Sequence, residues 1–228
     1  MVLPNRIMVP AMVTRLSGED GFVNQAISDR YTAYAAGGVG LVVVEAMAIH
    51  EAKSGPLLRI SDDKYVPGLA EMVKRIHGTS DSRVVPQIIH FMKVARSGWR
   101  QTVDTLAPLE IDAIVEQFGD AVRRARMAGF DGAELHSAHA YTLASFISRA
   151  NPRTGEYGGD SLEGRLRLIG RVMENIRRKA GADFPVCIRI DAEEFIRDGY
   201  TVEESKLIAL RLAQLGFGYI SLSVGGKF

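Results

Sequence analysis

The residues of this chain that could do chemistry are concentrated in His136-Ser137-Ala138-His139-Ala140-Tyr141. Two imidazoles three residues apart, with a phenol two further on, follow Gly129-Phe130-Asp131-Gly132-Ala133-Glu134-Leu135, which reads as a tight turn and a short buried strand. Ring N–H groups can donate to an oxygen and a phenol can hand over a proton, so the three together suit a site that grips an oxygen and delivers a proton. A metal is the other reading of two histidines, but a zinc site needs three or four donors. His77 closes a helix and reads as solvated, whereas His90 ends a strand and keeps a metal-dependent hydrolase open as an alternative.

The elements that must position these residues can be read in order. Arg6 to Pro10 is a short apolar run, read as a first strand. Ser28 is read as the cap of a helix through Ala36, closed by Gly37-Gly38. Val39 to Val44 is a near-continuous apolar run, as expected of a strand buried on both faces in a parallel sheet. Asp62 and Asp63 precede a helix from Tyr65 to His77, and Arg83 to Ile89 is a third strand despite Pro86. Leu109 to Ala128 is a long helix with Ile111, Ile114, Val115, Phe118, Val122 and Ala125 on one stripe. Strand four runs to His136, and a segment of irregular pattern rich in Gly, Arg, Asn and Pro follows to Asp160. Leu162 to Lys179 is helical, Pro185 to Ile190 is strand five, Val202 to Leu215 is a helix capped by Thr201, and Tyr219 to Ser223 is strand six. Trp99 reads as an aromatic packed under a loop.

Helix, glycine turn and strand recur at Ala35–Leu41, Met127–Ala133 and Gln214–Tyr219. Alternating strands and helices imply right-handed βαβ units and a parallel sheet. With no dinucleotide glycine fingerprint after strand one, the pattern predicts an α/β fold of (β/α)8 TIM-barrel type. The chain carries about the first six β/α units, one domain over residues 1–228 that is incomplete at its C-terminal end. Barrel sites lie at the carboxyl ends of the strands. Glu45 with Ala46, Gln87 with His90, His136 with His139 and Tyr141, and Arg189 with Asp191 all fall there. Gln87 either bonds a neighbouring backbone or reads the edge of a flat heterocycle. Arg189 either pairs with Asp191 or faces an electron-rich ligand edge.

Composition removes some classes. A formal charge of +1 gives no electrostatic case for nucleic acid. The single Cys187 excludes an intramolecular disulfide and fits a reducing compartment. No run of about 18 apolar residues and no secretory signal is visible. A cytoplasmic protein with no membrane partner is expected.

The sequence resembles the old yellow enzyme family of FMN-dependent ene-reductases, especially the branch of 2,4-dienoyl-CoA reductase and 2-enoate reductase. The stretches that carry the likeness are Asn5 to Met12, Gly37 to Leu41 running on to Glu45-Ala46, Gln87 to His90, Ala128 to Tyr141, Phe146-Ile147-Ser148, Arg153 to Gly159, and Val186 to Gly199. The resemblance implies an FMN-binding barrel that reduces the C=C bond of an α,β-unsaturated carbonyl compound (an enone, enoate or enoyl/dienoyl-CoA) with electrons from NADH or NADPH. Dehydrogenation or demethylation on the same barrel is the alternative. By the same resemblance Pro10, Ala11, Met12, Ala46, Gln87 and Arg189 hold the isoalloxazine, His136 and His139 bind the substrate carbonyl oxygen, Tyr141 is the proton donor, and no metal is needed. A homo-oligomer is expected, and in a longer parent chain an iron–sulfur cluster and FAD. The chain departs from the family pattern at Gly155, where aspartate is usual, and at Lys93, where arginine is common.

Overall fold

Continuous β-branched runs become strands and amphipathic runs become helices in the computed structural model, which describes residues 1–51, 55–93 and 100–225. The packing expected of Trp99 lies outside these residues. Among the described residues six strands form a sheet in the order β1-β2-β3-β4-β5-β6, and the pairs β1–β2, β2–β3 and β5–β6 are parallel. A doubly wound sheet would reverse direction at a switch point. Strand order that follows chain order is instead that of a (β/α)8 barrel.

The chain divides into two compact units, residues 1–89, 117–134 and 176–185, and residues 90–116, 135–175 and 186–228. The first holds β1 (Met8–Val9), α1 (Gln25–Ala36), β2 (Leu41–Ala48), α2 (Val66–His77) and β3 (Arg83–Ile89). Two longer helices, α3 (Pro108–Met127) and α5 (Leu162–Ala180), and the strand β4 (Ala133–Ser137) contribute to both units. The second unit holds α4 (Thr142–Ile147), β5 (Val186–Asp191), α6 (Val202–Gln214) and β6 (Ile220–Ser223).

In the first unit β2 is buried along its whole length, and its register with β3 shifts between Val44 and Met47. Glu45 and Ala46 therefore stand against Gln87 alone. Such a bulge re-aims side chains at the end of a strand. Pro86 stays inside β3, in register with Val44. At the entry to β4, a Cβ on Gly132 would stand 2.6 Å from the carbonyl oxygen of Pro185, so only glycine lets the two backbones pass.

Several boundaries differ from the sequence reading. The first strand is two residues long. The cap of α1 is Asn24, whose side chain accepts from the N–H of Ile27 at 3.1 Å, and Ser28 lies inside the helix. Asparagine and serine cap equally well, so the earlier one starts the helix. Thr201 stands at the N-cap of α6 without a side-chain cap bond. The irregular segment after β4 is more ordered than its composition suggests. It contains α4 and a short 3₁₀ turn at Gly155–Tyr157. Buried Asn151 ties the two together, donating to the carbonyls of Phe146 at 3.1 Å and Tyr157 at 3.0 Å. Six residues of helix are too few to show a period in sequence.

Candidate active site

The second unit brings His136, His139, Tyr141 and Arg189 together with Asp191 and Ser223. His136 is the penultimate residue of β4 and only 4% exposed. After Ser137 the chain turns sharply: His139 and Ala140 both take left-handed backbone, at φ 57° and 53°. Non-glycine residues persist there only where their surroundings hold them. The turn gathers the three rings, with His136 and His139 edge to face and Tyr141 tilted against His136. The His136 ring centroid lies 5.1 Å from that of His139 and 5.3 Å from that of Tyr141, whose other edge meets Phe91 at 5.1 Å. Tyr141 itself is half-buried and begins α4 as its N-cap residue.

Burial controls the electrostatics. His136 is pushed down to about 3 by loss of water, with the His139 and Arg189 charges adding to the effect, so its ring is neutral at working pH. Its Nδ1 is buried without a hydrogen-bond partner among the described residues. His139 is also lowered, by burial first and by Arg189 second. Asp191 is 2% exposed and is raised to about 6 by burial; the backbone N–H of His139 and the Arg189 charge oppose the rise, and Glu194 adds to it. Asp191 and Arg189 do not form the hydrogen-bonded pair considered from their spacing. Asp191 Oδ2 accepts from the backbone N–H of His139 at 2.8 Å, and Oδ1 has no hydrogen-bond partner among the described residues. Arg189 reaches Ser223 Oγ at 3.4 Å, and its Nε is buried without a hydrogen bond among the same residues.

His90 is held elsewhere: its Nδ1 lies 2.7 Å from Thr142 Oγ1, which also donates to the carbonyl of His90 at 3.0 Å. Among the described residues no group of three or more His, Cys, Asp or Glu is placed to hold a metal ion. His77 is not simply solvated; its Nε2 lies 2.8 Å from Asp131 Oδ2.

The first unit carries the other predicted positions. Gln87 is 4% exposed and donates from Nε2 to Glu134 Oε1 at 2.7 Å. Ala46 is buried beside it in the bulge. Glu45 points to a different network: its Oε2 accepts from Thr14 Oγ1 at 2.6 Å and from Tyr31 Oη at 3.1 Å, while its N–H donates back to Tyr31 Oη at 2.8 Å. Pro10, Ala11 and Met12 follow β1 outside any helix or strand, with Ala11 half-buried and the other two exposed.

Sequence reading missed Glu134, Tyr31, Thr142 and Ser223. Glu134 had a signal, lying two residues before His136 in the same strand, the spacing that keeps side chains on one face. Ser223 had none, because only strand register shows it level with Asp191.

The chain belongs to the NADH:flavin oxidoreductase / NADH oxidase family, whose family model matches residues 1–217. It is 35% identical to the NADH oxidase of Thermoanaerobacter brockii, over 99% of this chain and 38% of that protein. Among solved structures it resembles a 2-naphthoyl-CoA reductase in complex with 2-naphthoyl-CoA, with TM-score 0.85 and 23% identity, over 98% of this chain and 39% of that one. It also resembles the old yellow enzyme homologue from Zymomonas mobilis, with TM-score 0.80 and 20% identity, over 96% of this chain and 69% of that one. The chain thus spans about two fifths of the length of the first two. No helix among the described residues is long and apolar enough to cross a membrane.

Proposed function

We propose that this chain is the catalytic barrel portion of an FMN-dependent oxidoreductase that reduces the C=C bond of an α,β-unsaturated carbonyl compound with electrons from NADH or NADPH. The observation that carries the reading is the cluster that a neutral His136 forms with the rings of His139 and Tyr141 at the carboxyl end of β4.

By the family resemblance Arg189, in the second unit, and Gln87, in the first, would each contact a flavin. Arg189 has a buried Nε without a hydrogen-bond partner among the described residues. A guanidinium there suits the ring edge that becomes negative on reduction. Gln87 has one N–H held by Glu134, so its other N–H and its amide oxygen are left to meet the edge of a ring. Pro10, Ala11, Met12 and Ala46 would complete the hold, as the family resemblance implies. When bound, FMN would supply hydride to the β-carbon of the alkene.

The protein's own groups handle the charge and the proton. As the alkene takes up hydride, negative charge develops on the carbonyl oxygen, and ring N–H groups of His136 and His139 stabilise it. Each preorganised donor of this kind is worth roughly 3 kcal/mol. A neutral His136 keeps its one ring proton through this step, so it acts as a hydrogen-bond donor rather than an acid. Tyr141 gives a proton to the α-carbon, a contribution of about 10²–10⁴ in rate for a positioned acid.

The test is spectroscopic. Purified protein is expected to show oxidised flavin, to be bleached anaerobically by NADH or NADPH, and to recover colour on addition of 2-cyclohexenone. Bleaching without recovery by any enone or enoate would overturn the alkene-reductase reading and move it to flavin-dependent dehydrogenation.

A further inference from the structure

His139 sits in a conformation that needs holding. Its φ of 57° is followed by 53° at Ala140, two consecutive non-glycine residues in the left-handed region. The stretch Ser137-Ala138-His139-Ala140 contains no glycine to make that conformation cheap, and Ala140 least of all favours it. The restraint comes from two residues outside the turn. Asp191 and Ser223 stand level with each other at the carboxyl ends of β5 and β6. Asp191 Oδ2 takes the backbone N–H of His139 at 2.8 Å, and Ser223 Oγ meets the ring Nε2 at 2.5 Å.

We propose that Asp191 and Ser223 are a pair of positioning residues for His139: Asp191 holds its backbone in the left-handed turn, Ser223 holds its ring by Nε2, and Nδ1 is thereby left as the nitrogen offered to a bound oxygen. Both anchors are themselves fixed. The Tyr200 hydroxyl donates to the carbonyl of Asp191 at 2.8 Å, and Arg189 reaches Ser223 Oγ at 3.4 Å. The arrangement is not a nucleophilic triad. In a triad the carboxylate and the serine lie on opposite ring nitrogens. Here Asp191 Oδ1 is 4.0 Å from Nε2, the nitrogen that Ser223 already occupies. Keeping a carboxyl buried for one backbone N–H is costly, since burial and Glu194 both raise it. That cost is intelligible if the turn at His139 is what the residue is for. The argument rests on His139 having the substrate-binding role proposed above, but the geometry can be tested without flavin or alkene.

The experiment is amide hydrogen exchange by NMR on the chain and on Asp191→Asn, Asp191→Ala and Ser223→Ala, together with ¹⁵N shifts of the His139 ring. In Asp191→Ala the His139 amide is expected to exchange about 10- to 100-fold faster, the loss of one hydrogen bond to a charged acceptor. In Asp191→Asn the side-chain oxygen still accepts, and protection is expected to be restored. In Ser223→Ala the amide stays protected while the Nε2 shift moves, and with it the balance between the two ring tautomers. Unchanged exchange at His139 in Asp191→Ala, or equal loss of protection across all of β5 and β6, would overturn the proposal. A Ser223→Ala variant with an unaltered Nε2 shift would remove the ring's half of it. An inactive protein bears on the alkene-reductase reading and not on these results.

Discussion

Gln87 and Glu134 are joined by a single hydrogen bond, Nε2 to Oε1 at 2.7 Å, between two side chains that are 4% and 1% exposed. The bond orients the Gln87 amide and engages one of its two N–H donors on the carboxylate. Replacing Gln87 by Glu would set two carboxyls against each other, and one must take up a proton. Such a proton raises the pKa of the pair above its unfolded value, so the stability of Gln87→Glu is lost as pH rises. Chemical denaturation is expected to show Gln87→Glu losing far more stability than Gln87→Leu at pH 8, with the gap closing toward pH 5. Equal losses at both pH values would mean that Glu134 is not charged when it accepts.

His136 titrates out of reach of ordinary pH. A histidine lowered to about 3 contributes stability that is full above its ordinary value near 6.5 and lost as pH falls toward about 3. Its ring proton resonances are expected to stay fixed between pH 8 and 5. A midpoint near 6 would show that water reaches the ring and that the donor can become a cation.

Asp191 has the opposite sign. A carboxyl raised to about 6 stabilises the folded chain most where it is protonated in both states, below about pH 4, and that contribution is lost as pH rises through about 6. Asp191→Asn should therefore gain stability over the wild type on going from pH 4 to pH 7, by up to about 3 kcal/mol. Urea midpoints at the two pH values check this. A variant that gains nothing at pH 7 would place the Asp191 charge in contact with water.

Much of the fold was readable because its signals are local. The buried run before Glu45, the apolar stripe of α3 and the glycine turns before β2, β4 and β6 each need only neighbouring residues, and all six strands were found. The site was readable in part. His136, His139 and Tyr141 declare themselves by type and spacing, and their rings do meet. The partners of His139 and Gln87 do not, because Ser223 is 84 residues from His139 and Glu134 is 47 from Gln87. Strand register brings such pairs together, and register is a tertiary property. The α1 cap went to Asn24 because two good caps stood four residues apart, and propensity does not choose between them.

Tyr31 is a case where the fold buries a polar group and uses it. Its hydroxyl bridges the backbone N–H and side chain of Glu45, and burial with the neighbouring carboxylate pushes its pKa up. Tyr31→Phe removes both bonds and is expected to cost about 1–3 kcal/mol in thermal or chemical unfolding, more than the loss of one surface hydroxyl would.

The central claim, that Tyr141 protonates the α-carbon, is tested most directly by separating the two half-reactions of the FMN-loaded protein in stopped flow. With Tyr141→Phe, reduction of the flavin by NADH or NADPH is expected to keep its wild-type rate, while reoxidation by 2-cyclohexenone falls about 10²–10⁴-fold. If both half-reactions fell by the same factor, or reoxidation were unchanged, Tyr141 would not be the acid and the account of this site would be wrong.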